Sequence, residues 1–173
     1  MCKKNSDNII KAIIEIPAFS NPIKYEFDKK NNILMVDRFI STTMQYPANY
    51  GFIPKTLSRD KDPMDILVIT PFPLQHGVLI HCRPIGILNM NDESGEDIKI
   101  LSVPISKLTP IYNHIREIED LPILLIKQIE HFFSHYKDLE DNKWVKIIGW
   151  GNSKKSFSSI EDGMKNYSLN FKK

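Results

Sequence analysis

The sequence predicts an α+β protein, mainly β: a small closed OB-like five-stranded β-barrel with flanking hairpins and one or two outer helices. Three observations lead there. Residues 12–105 hold many short β-branched runs separated by turn residues. Helical periodicity is strong only between 122 and 140 and weaker near the carboxy terminus. No repeat, low-complexity tract or linker divides the 173 residues, a length that suits one core, so a single domain is expected over 1–173.

In chain order, residues 1–11 are expected to be a mobile amino-terminal segment, and "AIIEIP" at 12–17 a short strand that carries one charge, Glu15, among apolar neighbours. "IKYEF" and "ILMVDRF" flank the polar "DKKNN", which predicts a hairpin over 23–39 with Lys24 and Glu26 on one face. From Ser41 to Pro63 the punctuation by Pro47, Gly51, Pro54 and Pro63 predicts a loop. "DILVIT", "GVLIHCRPIGILNM" and "IKILSVPI" then read as strands, the last two joined by a hairpin through "DESGED". From Pro122 to Glu140, Leu125, Ile126, Ile129, Phe132, Phe133, Tyr136 and Leu139 keep helical spacing, with Asp120 as the expected cap and Pro122 in the first turn. "KWVKIIGW" predicts a final strand. The tail from 151 predicts a short or frayed helix near 156–167, remote from any chemistry, because Gly163 inside it costs about 1 kcal/mol relative to Ala.

Composition narrows the function classes. No stretch approaches the roughly 18 apolar residues of a membrane span. "MCKKNSDNII" lacks the apolar core of a secretory signal, so a cytoplasmic protein without a membrane partner is expected. Cys2 and Cys82 form no disulfide framework and no metal-ligand spacing, and read as free thiols. A net charge of +2 gives no general attraction to nucleic acid. An OB module that binds single strands is the competing reading, but seven of the 21 acidic residues fall in the windows "DKDPMD" and "DESGED", which repel a phosphate backbone.

Those windows carry the chemistry. Asp60, Asp62 and Asp65 repel one another unless a cation neutralises them. Hard divalent ions such as Mg²⁺ prefer carboxylate oxygen and keep several waters, and neither window contains a His or Cys that would favour zinc. Taken alone, each window reads more readily as a solvated turn, "DESGED" most of all as a hairpin tip with Gly at the turn, and neither carries a function by itself. Lys24, Arg38, Lys99 and Lys137 beside apolar strand or helix residues, with Tyr46 and Tyr50 just before the acidic motif, supply the cations and hydroxyls of a site for metal-bound phosphate.

Four blocks carry a family resemblance: "EIPAFSNPIKYEFDKKNNILMVDRF", "YPANYGFIPKTLSRDKDPMDILV", "CRPIGILNMNDESGEDIKI" and "HFFSHYKDLEDNKWVKIIGW". Across roughly residues 12–150 the chain resembles the soluble family I inorganic pyrophosphatases of the bacterial type, and the Asp-x-Asp-Pro-x-Asp signature is specific to them. The resemblance implies hydrolysis of inorganic pyrophosphate to two orthophosphates by a metal-activated water, with several Mg²⁺ ions per subunit and Mn²⁺ or Zn²⁺ as possible substitutes. It implies that Asp60, Asp65 and Asp97 hold the ions that bridge the attacking water, and that Asp92 and Glu15 serve further ions. Asp62 matches the acceptor of the water's proton, and Lys24, Arg38, Tyr50, Lys99, Tyr136 and Lys137 match the phosphate-contacting set. Glu26, Tyr46 and Glu93 match supporting positions, and a homohexamer is implied in which the helix bearing His131 and His135 packs between subunits. An i, i+4 His pair also suits zinc, but no third ligand stands nearby in sequence. One departure is Lys61, where the family usually has Gly, Ser, Asn or Asp; in an extended segment its ammonium would point to solvent, away from Asp60 and Asp62.

Overall fold

The computed structural model describes residues 9–28 and 30–171. Among the described residues, eight strands, two α-helices and one 3-10 turn follow in order as β1 (Ile10–Ile16), β2 (Ile23–Asp28), β3 (Ile33–Phe39), β4 (Asn49–Phe52), β5 (Asp65–Val68), β6 (Leu79–Asp92), β7 (Gly95–Pro104), the 3-10 turn Ile118–Asp120, α1 (Ile123–His135), β8 (Val145–Asn152) and α2 (Ser153–Phe171). Most of the expected mobile segment lies outside the described residues; Ile10 and Lys11 belong to β1, where Ile10 is buried and pairs with Cys82.

Five strands close on themselves in the order β1-β4-β5-β7-β6, because β6 returns to pair with β1. Closure leaves no free edge in the ring. β6 achieves it through its 14 residues: Leu79–Cys82 pair with β1, Cys82–Asp92 with β7 and its second half with β8. A register shift between Pro84 and Gly86 bends it, and Pro84, which has no N–H to donate, stands at that irregularity. The same shift changes parity, so that Ile80 and Cys82 before it, and Ile87 after it, belong to one apolar cluster, while Ile85, Leu88 and Met90 belong to the other. That second cluster lies under α1, which contributes Ile126, Ile129, Phe132 and Phe133.

Four expectations need correction. Asn49–Phe52 lies inside the segment read as loop, yet it is a fully buried strand between β1 and β5, where tertiary pairing overrides the weak propensity of Asn and Gly. Gly51 is required there, since a Cβ would fall 1.9 Å from the Ile13 carbonyl oxygen. α1 begins after Pro122 as its N-cap and ends at His135, leaving Leu139 exposed; Asp120 instead accepts the backbone N–H groups of Arg116 and Glu117. α2 is neither short nor frayed: it runs 19 residues, with Ile160 in the core. Its first residue is held by Glu117, which accepts both the N–H and the hydroxyl of Ser153.

Candidate active site

β5 and β7 run parallel, with Asp65 directly opposite Lys99. Asp97 precedes Lys99 by two residues and so shares its face of the strand. The register therefore gathers two carboxylates around one ammonium: Lys99 Nζ ion-pairs with Asp65 Oδ2 and, at 2.9 Å, with Asp97 Oδ1, and lies 3.3 Å from the Tyr50 hydroxyl. Lys99 is only 4% exposed. Burial works against its charge, but Asp65 and Asp97 outweigh it and hold the pKa well above the usual lysine value. Burial raises Asp97, with Lys99 opposing and Asp65 reinforcing the rise. Burial, then Asp65, pushes the Tyr50 hydroxyl well up, so it remains a neutral hydrogen-bond donor. Tyr46 packs at a tilt between Tyr50 and Phe132, with ring centroids 4.9 and 4.5 Å away.

The wall beyond α1 joins the second acidic window. Lys137 Nζ meets Asp92 Oδ2 at 2.8 Å and Glu93 Oε1 at 3.2 Å, and its hydrogen bond lowers the Asp92 pKa against the effect of burial. Asp92 and Glu93 stand where β6 turns into β7, and Gly95 takes φ +121°, a conformation strained for other residues. Tyr136 follows directly on α1 and stacks on Phe132.

The β2–β3 hairpin forms a separate sheet, in which Lys24 pairs with Arg38 across the strands. Lys24 ion-pairs with Glu26 and lies 3.3 Å from Asp37; Arg38 lies 3.1 Å from Asp37 and 3.6 Å from Glu140. Glu15 ties this hairpin to the barrel, because its Oε1 accepts the Phe27 N–H at 2.8 Å. Burial raises the Glu15 carboxyl to about 7 despite that bond. The misplaced charge in the first apolar run is thus an inward carboxylate beside a bulge in β1.

Residues 57–64 are a turn, not an extended segment. Ser58 N–H donates to the Asp62 carbonyl at 2.7 Å, Lys61 N–H to the Ser58 carbonyl at 3.2 Å, and Asp62 N–H to Asp60 Oδ1 at 3.0 Å. Lys61 takes φ +73° and is exposed, so strand alternation is the wrong reason for its outward position. A left-handed residue at this place accounts for the Gly, Asn and Asp that the resemblance leads one to expect there.

The fifteen side chains for which the resemblance implies a metal, proton-transfer, phosphate-contacting or supporting role line one cavity of about 360 Å³. Its walls hold eight carboxylates against five cationic side chains, an excess of negative charge in a pocket that also presents lysine, arginine and tyrosine side chains. The donor set is all oxygen, which suits hard divalent ions and would reconcile such a pocket with an anionic substrate. Among the described residues no three His, Cys, Asp or Glu side chains are drawn close enough to enclose an ion; Lys99 stands between Asp65 and Asp97. Sequence reasoning missed Lys143, which lines the cavity 3.8 Å from Glu93, and the buttressing carboxylates Asp37 and Glu140. Each is a single charge outside the acidic windows, with no spacing that sets it apart. His131 and His135 lie elsewhere, their rings 4.6 Å apart, with His135 paired to Asp138.

Among the described residues no helix is long and apolar enough to cross a membrane. The sequence model of the inorganic pyrophosphatase family matches residues 12–168. The inorganic pyrophosphatase of Ralstonia nicotianae is 52% identical over 164 residues, covering 95% of this chain and 94% of the relative. That of Yersinia pestis is 60% identical over 141 residues, covering 82% and 81%. The solved structure of an inorganic pyrophosphatase from Coxiella burnetii superposes with a TM-score of 0.91 at 45% identity, covering 96% of this chain and 99% of that one.

Proposed function

The chain belongs to the inorganic pyrophosphatase family and is an inorganic diphosphatase, and we propose that it hydrolyses pyrophosphate through Mg²⁺ ions held by Asp60, Asp65, Asp97, Asp92 and Glu15. The observation that carries this reading is the convergence of carboxylates from β1, β5, β6, β7 and the acidic turn on one cavity that also holds the phosphate-binding cations. Bound divalent ions supply charge neutralisation and make water in the site more acidic.

The chain's own residues do the rest. Lys24 and Arg38 on the hairpin, and Lys137 and Tyr136 at the end of α1, hold the non-bridging oxygens of the two phosphates. Lys99 and the neutral Tyr50 hydroxyl donate from the cavity floor. Asp62 takes the proton of the attacking water at its carboxylate; the new P–O bond forms as the bridging P–O bond breaks and its electron pair leaves with the second phosphate. Glu26, Tyr46 and Glu93 fix the geometry of Lys24, Tyr50 and Lys137 through the contacts described above.

Mn²⁺ and Zn²⁺ are substitutes for Mg²⁺ in this reading. The protein works in the cytoplasm as a single domain in a homohexamer, a state supported by the exposed Ile123, Leu124 and Leu139 in and just beyond α1. Phosphate release from Mg²⁺-pyrophosphate, with and without chelator, is the test. Release that stops with chelator and returns with Mg²⁺ is the expected result; no release at any ion concentration refutes the proposal.

A further inference from the structure

We propose that α2 seats the acidic turn, with Gly163 and Met64 as positioning residues for the carboxylates of Asp60 and Asp65. This rests on the reading of those carboxylates as ligands of divalent ions. The Gly163 carbonyl accepts the Leu57 N–H at 2.9 Å, which fastens the middle of α2 to the start of the turn. The end of the turn bears on the same glycine: a Cβ at residue 163 would fall 2.4 Å from Met64 Sδ, 3.2 Å from Met64 Cγ and 3.4 Å from Thr56 Cβ. Thr56 locks this contact from beneath, since its buried hydroxyl donates to the Ile53 carbonyl at 2.6 Å and accepts the Met64 N–H at 2.9 Å. Both ends of the segment that carries Asp60 and Asp62, and that leads into Asp65, therefore converge on one helical residue with no side chain.

Met64 is 2% exposed, so the side chain that the Cβ would press on is already packed on nearly every side. The open space it borders is a second cavity of about 190 Å³, bounded by Asp60, Asp65 and Asp97 on one side and by Ser159, Asp162 and Asn166 of α2 on the other. A side chain at 163 leaves the thioether two courses. It lifts the Met64 backbone, and Asp65 with it, or it enters that cavity and sets apolar atoms against the three carboxylates. Either course weakens ion binding at residues about a hundred positions away in sequence. Glycine in a helix interior is otherwise unfavourable by about 1 kcal/mol, so alanine's gain in the helix opposes the crowding of Met64, and a purely structural role predicts a change in stability without a change in ion affinity.

The test is calorimetric titration of Mg²⁺, without substrate, into the full chain and two variants, with thermal unfolding measured in chelator. Gly163→Ala is expected to bind Mg²⁺ about tenfold more weakly, the low end of what loss of outer support costs a metal site, while remaining fully folded in chelator at the titration temperature. Gly163→Ala/Met64→Val, which restores room, is expected to recover most of that affinity. Wild-type affinity in Gly163→Ala overturns the inference, as does a loss that shortening Met64 fails to restore. A wild-type chain that binds no Mg²⁺ removes instead the reading on which the inference rests.

Discussion

Replacing Lys99 by Met tests the electrostatics of the pocket floor. The substitution keeps much of the side-chain volume in β7 but removes the ammonium that joins Asp65 and Asp97. Breaking a fully buried pair costs about 3–5 kcal/mol, because a charge is left uncompensated. The Asp65 and Asp97 side chains are 30% and 21% exposed, so water recovers part of this and about 2–3 kcal/mol is the better figure. For a chain of this size each kcal/mol moves the midpoint by about 2–4 °C, giving a fall of about 4–12 °C in chelator. The two carboxylates freed of their lysine then favour a divalent ion more strongly. An ion at a hundred times its dissociation constant stabilises by about 2.7 kcal/mol, so saturating Mg²⁺ should raise the midpoint of Lys99→Met by more than it raises the wild type. Calorimetric scanning of both proteins, in chelator and in Mg²⁺, measures all four midpoints. A variant as stable as wild type in chelator, or one insensitive to Mg²⁺, refutes the reasoning.

Other perturbations separate the remaining roles. Asp62→Asn removes the proposed proton acceptor and should lower phosphate release about 10²–10⁴-fold with an unchanged circular dichroism spectrum; full turnover excludes Asp62 from that role. Glu15, raised to about 7 by burial, is an acid whose folded pKa exceeds its unfolded value of 4.5, so its contribution to stability is present below about pH 4.5 and is lost as pH rises toward 7. Glu15→Gln keeps an acceptor for the Phe27 N–H and should therefore be more stable than wild type at pH 8 in chelator, but no more stable at pH 4.5; equal stability at pH 8 contradicts the burial argument. Lys61→Asn should raise stability by up to about 1 kcal/mol by relieving a left-handed lysine, with Mg²⁺ affinity unchanged in titration; tighter ion binding would mean that the lysine reaches inward.

The strands that advertise themselves in the sequence are those whose side chains alone decide them. "IKYEF" and "ILMVDRF" flank a polar turn, and the hairpin appears over the expected residues because both register and turn are local. β4 was hidden because "NYGF" owes its strand state to two partners elsewhere in the chain, and its glycine to a close approach by β1. Ring closure likewise depends on β6 reaching β1, from Cys82 back to Ile10, which no local pattern encodes. In the site, Glu15 and the acidic windows are legible as charges without a local partner, while the roles of Tyr136, otherwise only an apolar helix position, and of Glu93, otherwise one charge of the second window, come from the resemblance. The turn geometry at Lys61 was misread because a positive φ in a lysine leaves no compositional trace. Gly163 was misread because a glycine that costs helix stability looks the same whether or not a methionine occupies its missing side chain's space.

Anomalous diffraction from crystals grown with Mn²⁺ locates the ions directly. Peaks within coordination distance of the Asp60, Asp65 and Asp97 carboxylates, each ion shared by side chains from different strands or turns, are the predicted result. Ions bound only outside this cavity, with those three aspartates uncoordinated, would contradict the assignment of the pocket as a divalent-ion phosphoanhydride hydrolase site.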